Sequence, residues 1–197
     1  MFDSLPNFPR HRRWREQLFP GPIVVALIRR PAEKTRPSYL LIRRKKGAYN
    51  GQWALVGGKW DFGETLMTVV TREVKEETNL DATFTALRGV VNERLVPPDD
   101  HNNGAHFLIF VCELEADSGA ASEQNEGAVA WFTCAEIDDL HAQKAIIPSD
   151  YAMLKQLAGS TEAAPHFEAE MMAELGKEQE RPSQLIRFER INGPKPE

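Results

Sequence analysis

Short apolar runs broken by proline, glycine and charge set the pattern of the first half of the chain. The run IVVALI from Ile23 is β-branched and apolar, and after the break PAEKTRPS a second run, YLLIRR, resumes, so the pattern predicts two strands joined by a loop. The following stretch, GAYNGQWALVGGKWDFGE, is dense in glycine and reads as a loop shaped by its backbone at Gly51, Gly57, Gly58 and Gly63. Apolar residues then recur at helical spacing, Leu66, Val69, Val70 and Val74, and predict a helix from Thr65 to Thr78. Three more strands are expected at 84–96, 106–116 and 127–133, with a polar loop at 97–104, an acidic small-residue loop at 115–127, and a second helix starting near Ser149. Residues 1–20 read as an irregular basic arm carrying Arg10, Arg12, Arg13 and Arg15, with Trp14 and Phe19 as its means of packing. Residues 21–158 form the expected domain. Residues 159–197 form a tail: an amphipathic stretch with Phe167, Met171, Met172 and Leu175, a break at Pro182, then QLIRFERI. It reads as helix plus strand packing on the domain or on a second subunit.

Composition narrows the class. With 24 Lys and Arg against 29 Asp and Glu, the net charge is −5, which excludes a broad cationic surface for duplex nucleic acid. Cys112 and Cys134 lie in apolar stretches without a second ligand at zinc spacing, so both are expected as buried thiols in a reducing compartment. The N-terminus lacks the apolar run of a signal peptide, and no run is long enough to cross a bilayer; the expectation is a cytoplasmic protein that does not enter the membrane.

The first helix holds the candidate chemistry. At 100° per residue, Leu66, Val69, Val70, Glu73, Glu76, Glu77 and Leu80 fall within an arc of about 120°. The stripe begins apolar, so it faces a core, and the acids that continue it are therefore not simply a solvated face. Carboxylates gathered on a half-buried surface repel one another and need a cation. Arg72 can pair with Glu76 at i,i+4, but one arginine does not balance Glu64, Glu73, Glu76 and Glu77. Oxygen ligands without cysteine or histidine select a hard ion, Mg²⁺ with Mn²⁺ as substitute, leaving positions for water and a substrate phosphate. Such a site activates water against a phosphate. Gly57 and Gly58, just upstream, let the backbone come close to an ion.

These residues coincide with a known pattern: Gly58, five residues, Glu64, seven residues, then Arg72-Glu73-Val74-x-Glu76-Glu77-x-Asn79-Leu80. The segment resembles the Nudix box, with Asn79 in place of the final glycine; asparagine tolerates the left-handed conformation that ends helices. Val56 stands where the family often has proline, and Asp61-Phe62 where it often has Glu-Pro. The resemblance implies an α/β fold, the Nudix α/β/α sandwich, with a mixed sheet and a loop-helix-loop catalytic motif. It also implies hydrolysis of a nucleoside diphosphate linked to another moiety, as in ADP-ribose, a nucleotide sugar or a nucleoside triphosphate. Carried over by position, Glu73 and Glu77 would be principal metal ligands with the Gly57 carbonyl alongside, and Glu76 would bind a further metal or assist the water. Glu64 would support the cluster, and Arg72 would orient Glu73. Such enzymes often recruit one more loop glutamate, for which Glu126 is the choice and Glu123 the reserve.

Outside the box the residues leave alternatives open. Arg43 and Arg44, with Lys45 and Lys46, end a strand beside the glycine loop and are candidates for receiving phosphates, a solvated strand end being the plain alternative. Trp53, Trp60 and Tyr49 are candidates for stacking on a base, against a buried Trp53. His101 and His106 are weaker candidates for assisting a leaving group, and Pro97 and Pro98 lie at a spacing similar to that of ADP-ribose hydrolases. A non-hydrolytic module sensing a nucleotide or RNA end, removal of pyrophosphate from an RNA 5′ end, and a homodimer are the further readings of the basic arm and tail.

Overall fold

Five consecutive apolar residues, Val24 to Ile28, can be buried only in a strand covered on both faces, and each of them is at most 7% exposed. They form the middle of β1 (Gly21–Arg29), which pairs in parallel with β5 (Ala105–Ala116) and antiparallel with β3 (Trp53–Lys59). With β2 (Ser38–Arg44), β4 (Ala82–Leu95) and β6 (Gly127–Thr133) these strands make a mixed sheet in the order β4-β5-β1-β3-β2-β6. The computed structural model describes residues 19–30, 37–46, 49–95, 105–116, 120–164, 166–172 and 184–190.

Alternation along the strands divides the core in two. Val24, Ala26, Ile28, Leu40, Ile42, Ala54 and Val56 meet Leu66, Val69, Val70 and Val74 of α1 (Leu66–Thr78) on one face. Val25, Leu27, Leu41 and Leu55 meet Ile137 of α2 (Cys134–Ala142) with Met153 and Leu154 of α3 (Pro148–Leu157) on the other. The result is the α/β/α sandwich expected from the sequence.

Several local expectations need correction. The glycine-dense stretch is not all loop, because it contains β3, whose Ala54, Leu55 and Val56 are buried. Glycine is required inside that strand: a methyl at Gly57 would fall on the Val24 carbonyl oxygen of β1. The helix α2 was not expected, although its signature is in the sequence. Thr133 and Glu136 form a reciprocal capping box, a pattern legible as T-x-x-E. Cys112 is buried and its thiol is pushed up to about 12 by that burial, but Cys134, the first residue of α2, is exposed and not a core thiol. Phe19 is likewise 49% exposed rather than packed.

The tail also differs from expectation. Residues 167–172 are a strand, β7 (Phe167–Met172), paired antiparallel with β8 (Gln184–Arg190), not a helix. The two-residue alternation of a strand is present in Phe167, Ala169 and Met171, while Phe167, Met171 and Leu175 also recur at helical spacing, so the stretch fits both periods. The basic arm at 1–18, the loop carrying Pro97, Pro98 and His101, and Leu175 and Pro182 lie outside the described residues. Among the described residues, no helix is long and apolar enough to cross a membrane.

Candidate active site

The acidic helix is closed at both ends by its own sequence. Thr65 caps it by accepting from the Thr68 amide at 3.2 Å, and Asn79 ends it in the left-handed conformation (φ 59°), its amide donating to the Lys75 carbonyl at 3.0 Å. Packing of Leu66, Val69, Val70 and Val74 against the sheet fixes the rotation of the helix and turns Glu73 and Glu77 toward β3. Glu76, at the rim of the stripe, does not share their burial: its side chain is 61% exposed, against 13% for Glu73.

Arg72 organises most of the acids. Its Nε and one terminal nitrogen donate to both oxygens of Glu64, at 2.7 and 3.0 Å, and that nitrogen also reaches the Lys59 carbonyl at 3.3 Å. The other terminal nitrogen donates to Glu73 at 2.8 Å and to Glu76 at 3.3 Å. The i,i+4 pair expected from the sequence is therefore present, but shorter bonds go to Glu64 and Glu73. The hydrogen bond to Glu64, ahead of that to Glu73, raises the arginine's pKa. Glu64 in turn accepts from the Asp61 amide at 3.1 Å, while its carbonyl accepts from the Trp60 indole at 3.0 Å. The loop ahead of α1 is thus braced against the helix.

Glu77 is placed differently. One carboxylate oxygen accepts from the Gly57 amide at 3.2 Å, and among the described residues no ion pair reaches it. Burial pushes it up to about 8; the Gly57 hydrogen bond opposes this, the charges of Glu73 and Glu126 add to it, and Arg44 lowers it. Glu73 is also raised, chiefly by desolvation, with Arg72 opposing and Glu76 and Glu64 reinforcing. A methyl at Gly58 would fall on the Glu73 carboxylate, so the glycine leaves the space that the acid fills. Gly58→Ala is therefore expected to displace Glu73 and lower kcat by about 100-fold, since small misplacements carry penalties of that order. Little change in melting temperature, measured alongside by calorimetry, would separate this from unfolding.

The remaining candidates fall into three groups. Glu126 is exposed at the start of β6; its carbonyl accepts from the Lys45 amide at 3.3 Å and its charge is felt at Glu77. Glu123, by contrast, is ion-paired with Lys45. Arg44 is exposed and close enough for its charge to act on Glu77, whereas Arg43 donates from Nε to the Gly51 carbonyl at 3.0 Å and braces the loop. Trp53 packs edge-on against Phe132, ring centroids 4.7 Å apart, within the core on the face opposite α1. Trp60 stacks edge-on against Phe110 on the α1 face, Tyr49 is exposed at a positive φ, and His106 pairs with Asn92.

One buried acid escaped the sequence reading. Asp150, in the first turn of α3, accepts from the Leu55 amide at 2.7 Å from inside the second core. It sits where β3 continues past β1: the Trp53 amide donates to Ala145 at 2.7 Å and the Ile147 amide to Trp53 at 2.9 Å, and Asp150 takes the next free amide. Burial pushes it up to about 7, with the Leu55 amide and Arg44 opposing and Glu93 reinforcing. A signal existed, since Asp150 shares one helical face with the apolar Met153 and Leu154 at i+3 and i+4.

The donor set suits a hard divalent cation. Glu73 and Glu77 offer carboxylate oxygens one helical turn apart, both raised in pKa by burial with neighbouring carboxylates adding to it, which a doubly charged ion between them would relieve. Among the described residues, no three acids, histidines or cysteines stand close enough together to hold an ion as they are. Water and substrate oxygens would complete the shell, as expected for magnesium.

Fold and site together define an α/β/α protein that presents a braced acidic loop-helix-loop at the middle of a mixed sheet. The NUDIX domain model matches residues 20–157, and the chain belongs to the Nudix family. It is 31% identical over 115 residues to the ADP-ribose pyrophosphatase of Methanocaldococcus jannaschii, covering 58% of this chain and 65% of that one. It is 27% identical over 123 residues to the nucleoside triphosphatase NudI of an Enterobacter species, covering 58% and 86%. Among solved structures, the MutT NUDIX hydrolase of Burkholderia pseudomallei superposes with a TM-score of 0.56 at 29% identity, over 71% of this chain and 99% of that one.

Proposed function

We propose that the protein is a divalent-metal-dependent pyrophosphohydrolase cleaving a nucleoside diphosphate linked to another moiety. The observation that carries this reading is the pair Glu73 and Glu77, partly desolvated, one turn apart, and held against the Gly57-Gly58 backbone of β3. Similarity to one relative named for ADP-ribose and another named for nucleoside triphosphates supports the substrate class.

In this reading Glu73 and Glu77 hold Mg²⁺, with the Gly57 backbone alongside and Glu76 at the exposed rim. When bound, the ion makes water more acidic and offsets charge growing on the phosphate oxygens. Arg72 and Glu64 keep Glu73 in place and the preceding loop closed against the helix. Glu126, whose charge already acts at Glu77, and Glu76 are the acids open enough to take the proton of the attacking water. Arg44 receives a substrate phosphate at the end of β2. The test is product analysis after incubation with ADP-ribose, nucleoside triphosphates and nucleotide sugars, with and without Mg²⁺. A nucleoside monophosphate released only with metal is expected; an absence of turnover on the whole panel with either Mg²⁺ or Mn²⁺ would sink the assignment.

A further inference from the structure

Beyond α3 the chain is tied back to the domain at successive points. A terminal nitrogen of Arg88, itself ion-paired with the buried Glu113, donates to the Glu162 carbonyl at 3.0 Å. The Ala164 amide donates to the Leu87 carbonyl at 2.8 Å, fastening the strap to β4, the edge strand of the sheet. Glu168, in β7, then accepts from the Leu66 amide at 3.3 Å.

Leu66 is the first residue of α1, and α1 carries no acid in its own first turn. Carboxylates favour that end of a helix, where unpaired amides and the peptide dipoles concentrate positive charge. The chain supplies this one from 102 positions away. The same Glu168 oxygen lies 3.0 Å from His166 Nε2. His166 is only 9% exposed, lies edge-on to Phe84 with centroids 6.4 Å apart, and has its Nδ1 buried with no partner among the described residues.

We infer that Glu168, seated by His166, is a positioning residue for the acidic helix, setting how far Glu73 and Glu77 stand from the Gly57-Gly58 backbone of β3. The inference rests on the hydrolase reading for its consequence, though not for its geometry. An α-helix advances about 1.5 Å per residue. Glu77 meets the Gly57 amide at 3.2 Å, and Glu73 fills the space above Gly58, so a slip of a fraction of that rise breaks the first contact or jams the second. Thr65 satisfies the Thr68 amide, and the Val69 amide bonds the Thr65 carbonyl, whereas the Leu66 amide is held by Glu168.

The experiment compares full-length Glu168→Ala and Glu168→Gln with the parent protein by amide hydrogen exchange and by steady-state kinetics in Mg²⁺. In Glu168→Ala, exchange over residues 66–69 is expected to quicken about tenfold while β1 stays protected. Its kcat should fall about tenfold with the nucleotide KM unchanged, as for a displaced catalytic group. Glu168→Gln keeps an oxygen for the Leu66 amide and should restore most of both. Parent-like exchange at 66–69 in Glu168→Ala would overturn the inference, as would a Glu168→Gln variant impaired as much as the alanine. If the parent turned over no nucleotide, the hydrolase reading would fail, while the exchange measurement would still decide whether Glu168 holds the helix.

Discussion

Replacing Glu77 with glutamine should leave the fold intact and lower kcat on the order of 1000-fold, within the range for loss of an essential charged catalytic group. Glutamine keeps the shape of the side chain and an oxygen for the Gly57 amide, so the contact between α1 and β3 survives. What disappears is the charge. Without an ion, Glu77 titrates at about 8, so at neutral pH the metal-free parent already holds it largely protonated, and Glu77→Gln resembles that state in stability. The difference emerges on adding metal. A cation at one hundred times its Kd stabilises a folded protein by about 2.7 kcal/mol, which for a chain of this size raises Tm by several degrees. The parent should show that rise with Mg²⁺, and Glu77→Gln should lose most of it. Equal turnover, or an equal rise in Tm, would contradict the assignment of Glu77 as ligand.

The second large effect concerns stability. Asp150 titrates at about 7 in the folded protein against an ordinary value of 3.8, so folding favours its protonated form. Its contribution is fully present below pH 4 and is lost as pH rises through 7. The difference corresponds to at most ~4 kcal/mol. Asparagine at this position keeps an oxygen for the Leu55 amide and removes the ionisation. Asp150→Asn should therefore melt several degrees above the parent at pH 8, with the gap closing by pH 4. Calorimetry across that range checks it; a gap that is independent of pH would show that the carboxyl does not ionise inside the core.

The acidic stripe was legible because a helix writes its faces locally: Leu66, Val69, Val70 and Val74 announce the core side, and Glu73 and Glu77 continue it. Asn79 as a left-handed terminus was legible for the same reason. Partners across the sheet were not. Nothing near Arg72 in sequence says that Glu64 takes two of its hydrogen bonds, and nothing near Glu168 points to Leu66, because both follow from how distant segments dock. For Trp53 the sequence left two readings, a stacking surface and a buried ring, and its place in the strand alternation turns it toward Phe132. The strand β7 was ambiguous, because Phe167, Ala169 and Met171 alternate as a strand does while Phe167, Met171 and Leu175 recur at helical spacing. In α2 the signal was available in Thr133 and Glu136, but the helix is short and its apolar face is narrow, with Ile137 alone buried.

The order of strands carries a kinetic consequence. β1 precedes the strands that flank its apolar run, β3 and β5, so during synthesis that run must wait for residues as distant as Leu114 before both edges are filled. Contacts of that span slow folding and leave sticky segments uncovered on the ribosome. Nascent chains stalled before residue 105 should accordingly recruit chaperones or aggregate, and those extending past 116 should begin to resist protease along Val24–Ile28.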